Sequence, residues 1–349
     1  MKVAVVLPNW IGDVVMATPA LKAIRESLSP GDELVGIMKP YVREVLAGSD
    51  LLDGEIFLEK KTKDRSHKFW PVVQQVKAEQ FDSIVLLSNS LRTAALAWFA
   101  GITKRVGYAR NWRGPMLTHH LPPLKENGKY VPISAVDSYL KLTELAGFKT
   151  VDRQTVAGTL PENDKTVNEY WNRFKLHGKR VIAMNSGGAY GVAKHWPAEH
   201  YVELGKRLLA DPQNAVLLIC GPGERETVAE IQQQINHPAA HSLATEQVSI
   251  GISKACIQRA SVLVTTDSGP RHFAAAFQVP TVTMFGPTDP RWANNYNTAE
   301  TVLFNKLDCG PCAKRSCPLK THQCMKELGV DQVLAAVLQH LETGLIIAA

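Results

Sequence analysis

The chain has 349 residues, of which 45% are hydrophobic and 21% charged, and a formal net charge of +6. This make-up excludes a disordered chain, and the length predicts two domains of about 150 to 200 residues each. The longest apolar runs, 94–102 and the tail 344–349, fall short of the ~20 residues that cross a bilayer, so a cytoplasmic protein is expected. The opening Met1-Lys-Val-Ala-Val-Val-Leu-Pro8 is too short for a signal peptide, lacks a small-residue cleavage site, and reads as a first buried strand.

In chain order, a strand at 3–7 leads into a helix over 13–28. Further strands are predicted at 34–38, 56–58, 83–87 and 105–107, with helices at 69–78 and 91–100. Between them, 59–68 gathers Lys60, Lys61, Lys63, Arg65 and Lys68 against Glu59 and Asp64 in one loop. Such runs are commonly just solvated; the functional reading is docking to an anionic partner. A helix at 135–146 closes a first domain, 1–150, and the polar stretch 151–165, with Pro161, reads as a linker. The pattern restarts in a second domain, 166–349. Strands are expected at 181–184, 215–220, 261–265 and 281–285, with helices at 198–210, 224–234 and one ending near 259. Short apolar runs alternating with amphipathic helices predict an α/β protein: two doubly wound, mainly parallel domains facing each other across a cleft.

Three strand-to-helix turns carry candidate chemistry. Thr266-Asp-Ser-Gly-Pro-Arg-His272 runs from an apolar strand into a helix, where Ser268 can cap, Gly269 admits a ligand to the backbone, and Pro270 fits the first turn. Free amides and the helix dipole there suit a phosphate, against the alternative of plain capping. Asn185-Ser-Gly-Gly-Ala-Tyr-Gly-Val-Ala-Lys194 is a loop whose Ser186, Gly187 and Gly188 can present amides to a diphosphate while Lys194 supplies charge; the alternative is a surface loop. In Cys220-Gly-Pro-Gly-Glu224-Arg-Glu226, either glutamate can accept from ribose hydroxyls, although capping suits at least one. At the front, Asn9-Trp-Ile-Gly-Asp13 puts a carboxylate where ligands of open α/β sheets bind; it is either a helix cap or a base for an incoming hydroxyl. Finally, Cys309, Cys312, Cys317 and Cys324 lie within sixteen residues and suggest either a structural Zn or iron–sulfur site or free, redox-active thiols.

Asn9-Trp-Ile-Gly-Asp13, Lys194-His-Trp-Pro197, Thr266-Asp-Ser-Gly-x-x-His272 and Phe285-Gly-Pro-Thr288 together resemble the ADP-heptose:lipopolysaccharide heptosyltransferase family over nearly the whole chain. Within it, the opening motif and the cysteine-rich segment are most similar to the heptosyltransferase II branch. The resemblance implies a glycosyltransferase-B architecture of two Rossmann-like domains, the first holding the acceptor and the second the nucleotide sugar. It further implies inverting, metal-independent transfer of heptose from ADP-heptose to the inner-core heptose of lipopolysaccharide, without a cofactor. Carried over, Asp13 is the general base and Lys194 neutralises the departing ADP. Ser186, Gly187, Gly188, Glu224, Ser268, Gly269 and His272 line the donor, and Asp267 accepts from heptose hydroxyls or a loop amide. The paired threonines that related enzymes can carry ahead of the lysine are replaced here by Ala189 and Tyr190. Lys60, Lys61, Lys63 and Arg65 would meet the phosphates of the acceptor, with peripheral contact at the inner face of the cytoplasmic membrane and no nucleic-acid partner. Competing readings are transfer at another core position, a nucleotide-dependent oxidoreductase or epimerase, and a non-catalytic nucleotide sensor. The Gly-x-Gly-x-x-Gly of dinucleotide enzymes is missing.

Overall fold

The structure is a computed structural model that describes all residues except Thr150, Ala189 and Ala349, and all side chains outside 344–348. The chain forms two compact units, Met1–Ala157 and Gly158–Ala349.

In the first unit, β1 (Lys2–Val6), β2 (Glu33–Met38), β3 (Gly54–Phe57), β4 (Ser83–Leu86), β5 (Lys104–Tyr108) and β6 (His119–Leu121) form one sheet in the order β3-β2-β1-β4-β5-β6. Every pairing in it is parallel. The central strands β1 and β4 are apolar apart from Lys2 and Ser83, as a sheet covered on both faces requires. On one face Ala4, Val6, Ile37, Ile84 and Leu86 pack against Val72 and Val76 of a helix and Ala94 and Ala97 of the next. The helix expected over 13–28 is two, α1 (Ile11–Met16) and α2 (Thr18–Ser27), which meet at Ala17. Pro19 lies in the first turn of α2 and has no N–H with which to continue the α1 ladder. The remaining helices are α3 (Val42–Leu46), α4 (Phe69–Ala78), α5 (Leu91–Phe99) and α6 (Ala135–Leu145). A small hairpin, β7 (Lys125–Glu126) with β8 (Lys129–Tyr130), turns through Asn127 and Gly128, both at positive φ.

The second unit repeats the plan. Its strands β9 (Arg180–Asn185), β10 (Asn214–Ile219), β11 (Ala240–Ser242), β12 (Val262–Thr266), β13 (Thr281–Phe285) and β14 (Glu300–Phe304) lie in the order β11-β10-β9-β12-β13-β14, again all parallel. The helices are α7 (Pro161–Arg173), α8 (Ala198–Leu208), α9 (Arg225–Ile235), α10 (Ile250–Gln258), α11 (Gly269–Ala276), α12 (Gln323–Lys326) and α13 (Val330–Ala348). The stretch read as a linker over 151–165 is corrected here: from Pro161 onward it is the first turn of α7, with Pro at a position that has no N–H partner to lose. Among the described residues no helix is long and apolar enough to cross a membrane.

Both sheets have the strand order of a Rossmann-type doubly wound fold, in which the order of strands reverses beside the first strand. The reversal falls between β1 and β4 in one unit and between β9 and β12 in the other. Loops leaving the carboxyl ends of those four strands are therefore where ligands are expected.

Candidate functional site

In the first unit, β1 ends at Val6 and Asp13 falls in the first turn of α1, whose N-cap is Trp10 without a side-chain cap bond. Asp13 is half-buried. Its charge reaches two phenols: Tyr139, buried, is held well above the usual tyrosine range by burial and then by Asp13, and Tyr41 is raised by burial, then Glu59, then Asp13. The Tyr41 hydroxyl donates to the Asn9 carbonyl, which ties α3 to the loop carrying Asp13. In the loop after β5, Arg113 is fully buried and donates to the carbonyls of Tyr108 (2.8 Å) and Ser88 and to Asn89 Oδ1 (3.0 Å). Burial and then Arg110 push its pKa down to about 10. Sequence reasoning missed this arginine, which clamps the loops after β4 and β5 together. It also missed Trp112, which is 95% exposed in a left-handed backbone conformation in the same loop. Lys60, Lys61, Lys63 and Arg65 are exposed on the loop after β3.

In the second unit, the loop after β9 and the turn after β12 meet across the strand-order reversal. Lys194, in a short 3-10 turn (Val192–Lys194), is 8% exposed. Its Nζ donates to Asp267 Oδ2 at 2.5 Å and to the Asp267 carbonyl at 2.9 Å, and lies 4.4 Å from the centre of the Tyr190 ring. Thr288 Oγ1 donates to the same carboxylate oxygen at 2.8 Å. Burial alone would raise the Asp267 pKa, but the Lys194 ammonium and then the Arg271 guanidinium outweigh it and hold the carboxyl below its usual range. The side chain of Asp267 therefore holds Lys194 and Thr288.

Ser268 occupies the N-cap position of α11 but makes no side-chain cap bond, which corrects the expected capping. Its hydroxyl lies 3.1 Å from both Asn185 Nδ2 and Thr265 Oγ1, and the Asn185 amide also donates to the Gly187 carbonyl at 3.0 Å. The competing partners draw the hydroxyl away from the helix, and the positive end of α11 is left without that cap. His272 is buried beside Arg271. Burial and then that guanidinium push its pKa down to about 3, so the ring is neutral, and its Nδ1 is 3.4 Å from Asn295 Nδ2. Arg271 forms a bidentate ion pair with Glu300 (2.6 and 2.8 Å), both side chains buried.

Glu224 accepts from the Gly221 amide at 2.8 Å, and its other oxygen would lie 1.8 Å from a Cβ added at Gly187. The glycine is thus required for the carboxylate to lie across the loop. Glu226 is exposed in the first turn of α9. Gly191 has φ +148°, and a Cβ there would lie 2.6 Å from the Arg315 carbonyl of the cysteine-rich segment. That segment also takes hydrogen bonds from the Ala193 amide (3.1 Å) and the Tyr190 hydroxyl (2.8 Å), and returns one from Ala313 to the Pro287 carbonyl (2.7 Å). It therefore braces both loops that carry Lys194 and Thr288. Ala189 lies outside the described residues.

Cys309, Cys312, Cys317 and Cys324 line one shallow cavity with Ala193 and Gly286, and all are free thiols. Among the described residues no group of three or more His, Cys, Asp or Glu is arranged to hold a metal ion. The Cys317 sulfur is instead taken by the backbone amides of His322, Leu319 and Thr321 and the Thr321 side chain, which lower its pKa.

The profile of glycosyltransferase family 9 (heptosyltransferase) matches residues 69–323. Lipooligosaccharide heptosyltransferase 2 of Campylobacter jejuni is 27% identical over 350 residues, 96% of each chain. Two solved structures share the fold. The ADP-heptose lipopolysaccharide heptosyltransferase II of Escherichia coli has TM-score 0.77 and 21% identity, with 98% of this chain and 99% of that one covered. A family 9 glycosyl transferase of Veillonella parvula has TM-score 0.82 and 22% identity, covering 98% and 97%. The two Rossmann-like units are those of the glycosyltransferase-B architecture. The oxidoreductase, epimerase and sensor readings give way to this finding: the chain belongs to glycosyltransferase family 9 and is a glycosyltransferase.

Proposed function

We propose that the protein transfers L-glycero-D-manno-heptose from ADP-heptose to the inner-core heptose of lipopolysaccharide, with inversion, as a heptosyltransferase II. The observation that carries this reading is the Lys194–Asp267 pair beside the uncapped end of α11 at the strand-order reversal of the second sheet. A cation fixed in place and a helix N-terminus together suit a diphosphate. The second unit accordingly takes the nucleotide sugar and the first the acceptor.

In the proposed reaction an acceptor hydroxyl oxygen forms a bond to the anomeric carbon from the face opposite ADP. The bond from that carbon to the β-phosphate oxygen breaks, ADP leaves with the electron pair, and Asp13 takes the hydroxyl proton. Lys194 and the first amides of α11, near Ser268 and Gly269, stabilise the charge growing on the leaving diphosphate. Asp267 is a positioning residue: with the Thr288 hydroxyl it holds the Lys194 ammonium in one place. Ser186, Gly187 and Gly188 lie against the diphosphate, and Glu224 is placed to accept from ribose hydroxyls with the oxygen that Gly221 does not use. His272, neutral and buried in α11, completes the diphosphate cradle with the first amides of that helix. Lys60, Lys61, Lys63 and Arg65 attract the phosphates of the acceptor, at the cytoplasmic face of the membrane that holds it.

The test is mass spectrometry of a defined acceptor bearing the first inner-core heptose after incubation with ADP-heptose. A gain of one heptose with stoichiometric ADP is expected, and no gain on that acceptor overturns the proposal. Asp13→Asn should bind ADP as the parent does and lose about 10²-fold or more in kcat; turnover within a few-fold of the parent removes the base role.

A further inference from the structure

The first unit carries an aromatic ridge that its fold does not bury. Trp70 near the start of α4 and Trp98 and Phe99 at the end of α5 are 57%, 50% and 45% exposed. Their rings touch one another: Phe99 lies 5.1 Å from Trp70 and 5.0 Å from Trp98, centre to centre, and Phe69 adjoins Trp70 at 5.2 Å. A contiguous exposed aromatic patch on a globular unit marks an interaction surface rather than scattered surface apolarity.

What surrounds the ridge identifies the partner. The Glu59 amide bonds to the His67 carbonyl at 2.9 Å, which closes the basic loop on itself, and Lys68 is the N-cap of α4, so the loop leads straight into Phe69 and Trp70. Lys60, Lys61, Lys63, Arg65 and Lys68 are all exposed, and the Arg92 guanidinium lies 5.5 Å from the centre of the Phe69 ring. Among the described residues none of these six cations forms an ion pair with a carboxylate. Tryptophan favours the water–lipid boundary, where its ring is buried and its N–H stays wet, and lysine and arginine beside it meet anionic headgroups. A protein partner would need acidic and apolar groups in register with this pattern, whereas an anionic bilayer presents both everywhere.

We propose that the Trp70–Trp98–Phe99 ridge and its flanking cations are a docking surface for an anionic phospholipid bilayer. This deepens the proposed function, since it rests on an acceptor held in a membrane. The ridge would seat the first unit at the headgroup level, where that acceptor's sugars are presented, and confine the search for acceptor to two dimensions.

The test is co-sedimentation of the full chain with vesicles of phosphatidylcholine alone or mixed with phosphatidylglycerol, both free of any heptose acceptor. Binding to the mixed vesicles that weakens with salt is expected. Trp70→Ser/Trp98→Ser and, separately, Lys60→Gln/Lys61→Gln/Lys63→Gln should each lower the partition coefficient by about tenfold or more. Phe99→Ser is a milder change in the same direction. ADP affinity should stay as in the parent in all three, which shows that the variants are folded, and transfer to a soluble acceptor fragment should stay as in the parent in the tryptophan and Phe99 variants. A parent that does not bind mixed vesicles, or variants that bind them as the parent does, overturns the docking surface and leaves the proposed reaction standing. Loss of concentration-dependent self-association in the tryptophan variant, without loss of vesicle binding, assigns the ridge to a second copy of the chain and likewise overturns it. Failure of transfer to the soluble fragment by the parent tells instead against the proposed reaction.

Discussion

Removing one member of the Lys194–Asp267 pair should damage the second unit far more than removing both. Each side chain is 10% exposed, and the charged atoms lie 2.5 Å apart. At an effective dielectric constant of about 20 the gross attraction at that distance is about 6 to 7 kcal/mol. Loss of hydration, several kcal/mol per ion, offsets most of this, so the net value of the pair over an apolar substitute is small. A single removal is different because the surviving charge stays buried without compensation, at a cost of about 3 to 5 kcal/mol. Asp267→Asn keeps an oxygen for the Thr288 hydroxyl and strands only the ammonium; Lys194→Met strands the carboxylate. For a unit of this size each single change should lower Tm by about 10 °C. The double variant Lys194→Met/Asp267→Asn should recover at least half of that, so the two changes are strongly non-additive. Calorimetry and circular dichroism on the full chain give the four corners of the cycle. ADP titration adds a functional readout: Lys194→Met should raise its Kd by about tenfold or more. Additive single effects, or Tm losses below about 3 °C, would refute the argument that this pair is mutually compensated in a low-dielectric site.

Two further outcomes follow from the same neighbourhood. The pKa of His272 is depressed from 6.5 to about 3, so the unfolded chain binds the proton more readily; stability is whole above 6.5 and falls by about 1.4 kcal/mol per pH unit below it, until the folded pKa is reached. Denaturant midpoints from pH 7 to 4 should show this slope, and His272→Gln should flatten it; an unchanged slope in the variant assigns the acid sensitivity elsewhere. Asp267 adds a loss of the same sign only further down, as pH drops below the usual 3.8 and through its lowered pKa. Gly187→Ala should expel the Glu224 carboxylate and break its bond to the Gly221 amide, which costs about 1 kcal/mol of stability. The urea midpoint should fall by a few tenths molar and the KM for donor should rise severalfold; a donor KM equal to the parent's removes Glu224 from the proposed nucleotide contacts.

Much of the fold was legible from period alone, and what escaped did so for definable reasons. The helix at 69–78 and the strand at 281–285 have the observed bounds because each is a strongly patterned apolar run. Helix α7 was hidden in a polar stretch, yet Val167, Tyr170 and Trp171, its buried residues, stand at helical spacing, and Pro161 marked its first turn. The β7–β8 hairpin was not expected, although Asn127-Gly128, a pair that tolerates positive φ at both positions, is a signal for it. Strands β11 and β14 carried no usable signal, the first being three residues long and the second a half-buried edge. At the candidate site the motif residues were visible but not their pairings. Lys194 and Asp267 are joined only because β9 and β12 are neighbours across the strand-order reversal. Thr288 lay inside a recognised motif without a role, and Ser268 was assigned to the helix because no local reading shows that Asn185 and Thr265 compete for its hydroxyl.

The two sheets share one strand order, so their reversal points offer the same scaffold, and the residues placed there decide what each can do. In the first unit the buried guanidinium of Arg113 is spent on carbonyls and an amide oxygen and presents no charge to a ligand. The acidic group there, Asp13, sits in a helix of only six residues, too short to gather much dipole, and beside phenols that burial keeps protonated. In the second unit the balance is reversed. Lys194 reaches the turn with its charge held by one carboxylate, and the eight residues of α11 point their uncapped end at the same place. The proposed reaction asks for a proton acceptor and for a place that stabilises leaving negative charge, and it draws the first from one unit and the second from the other. The division is set by side chains at equivalent positions of one repeated fold, not by any difference between the folds themselves.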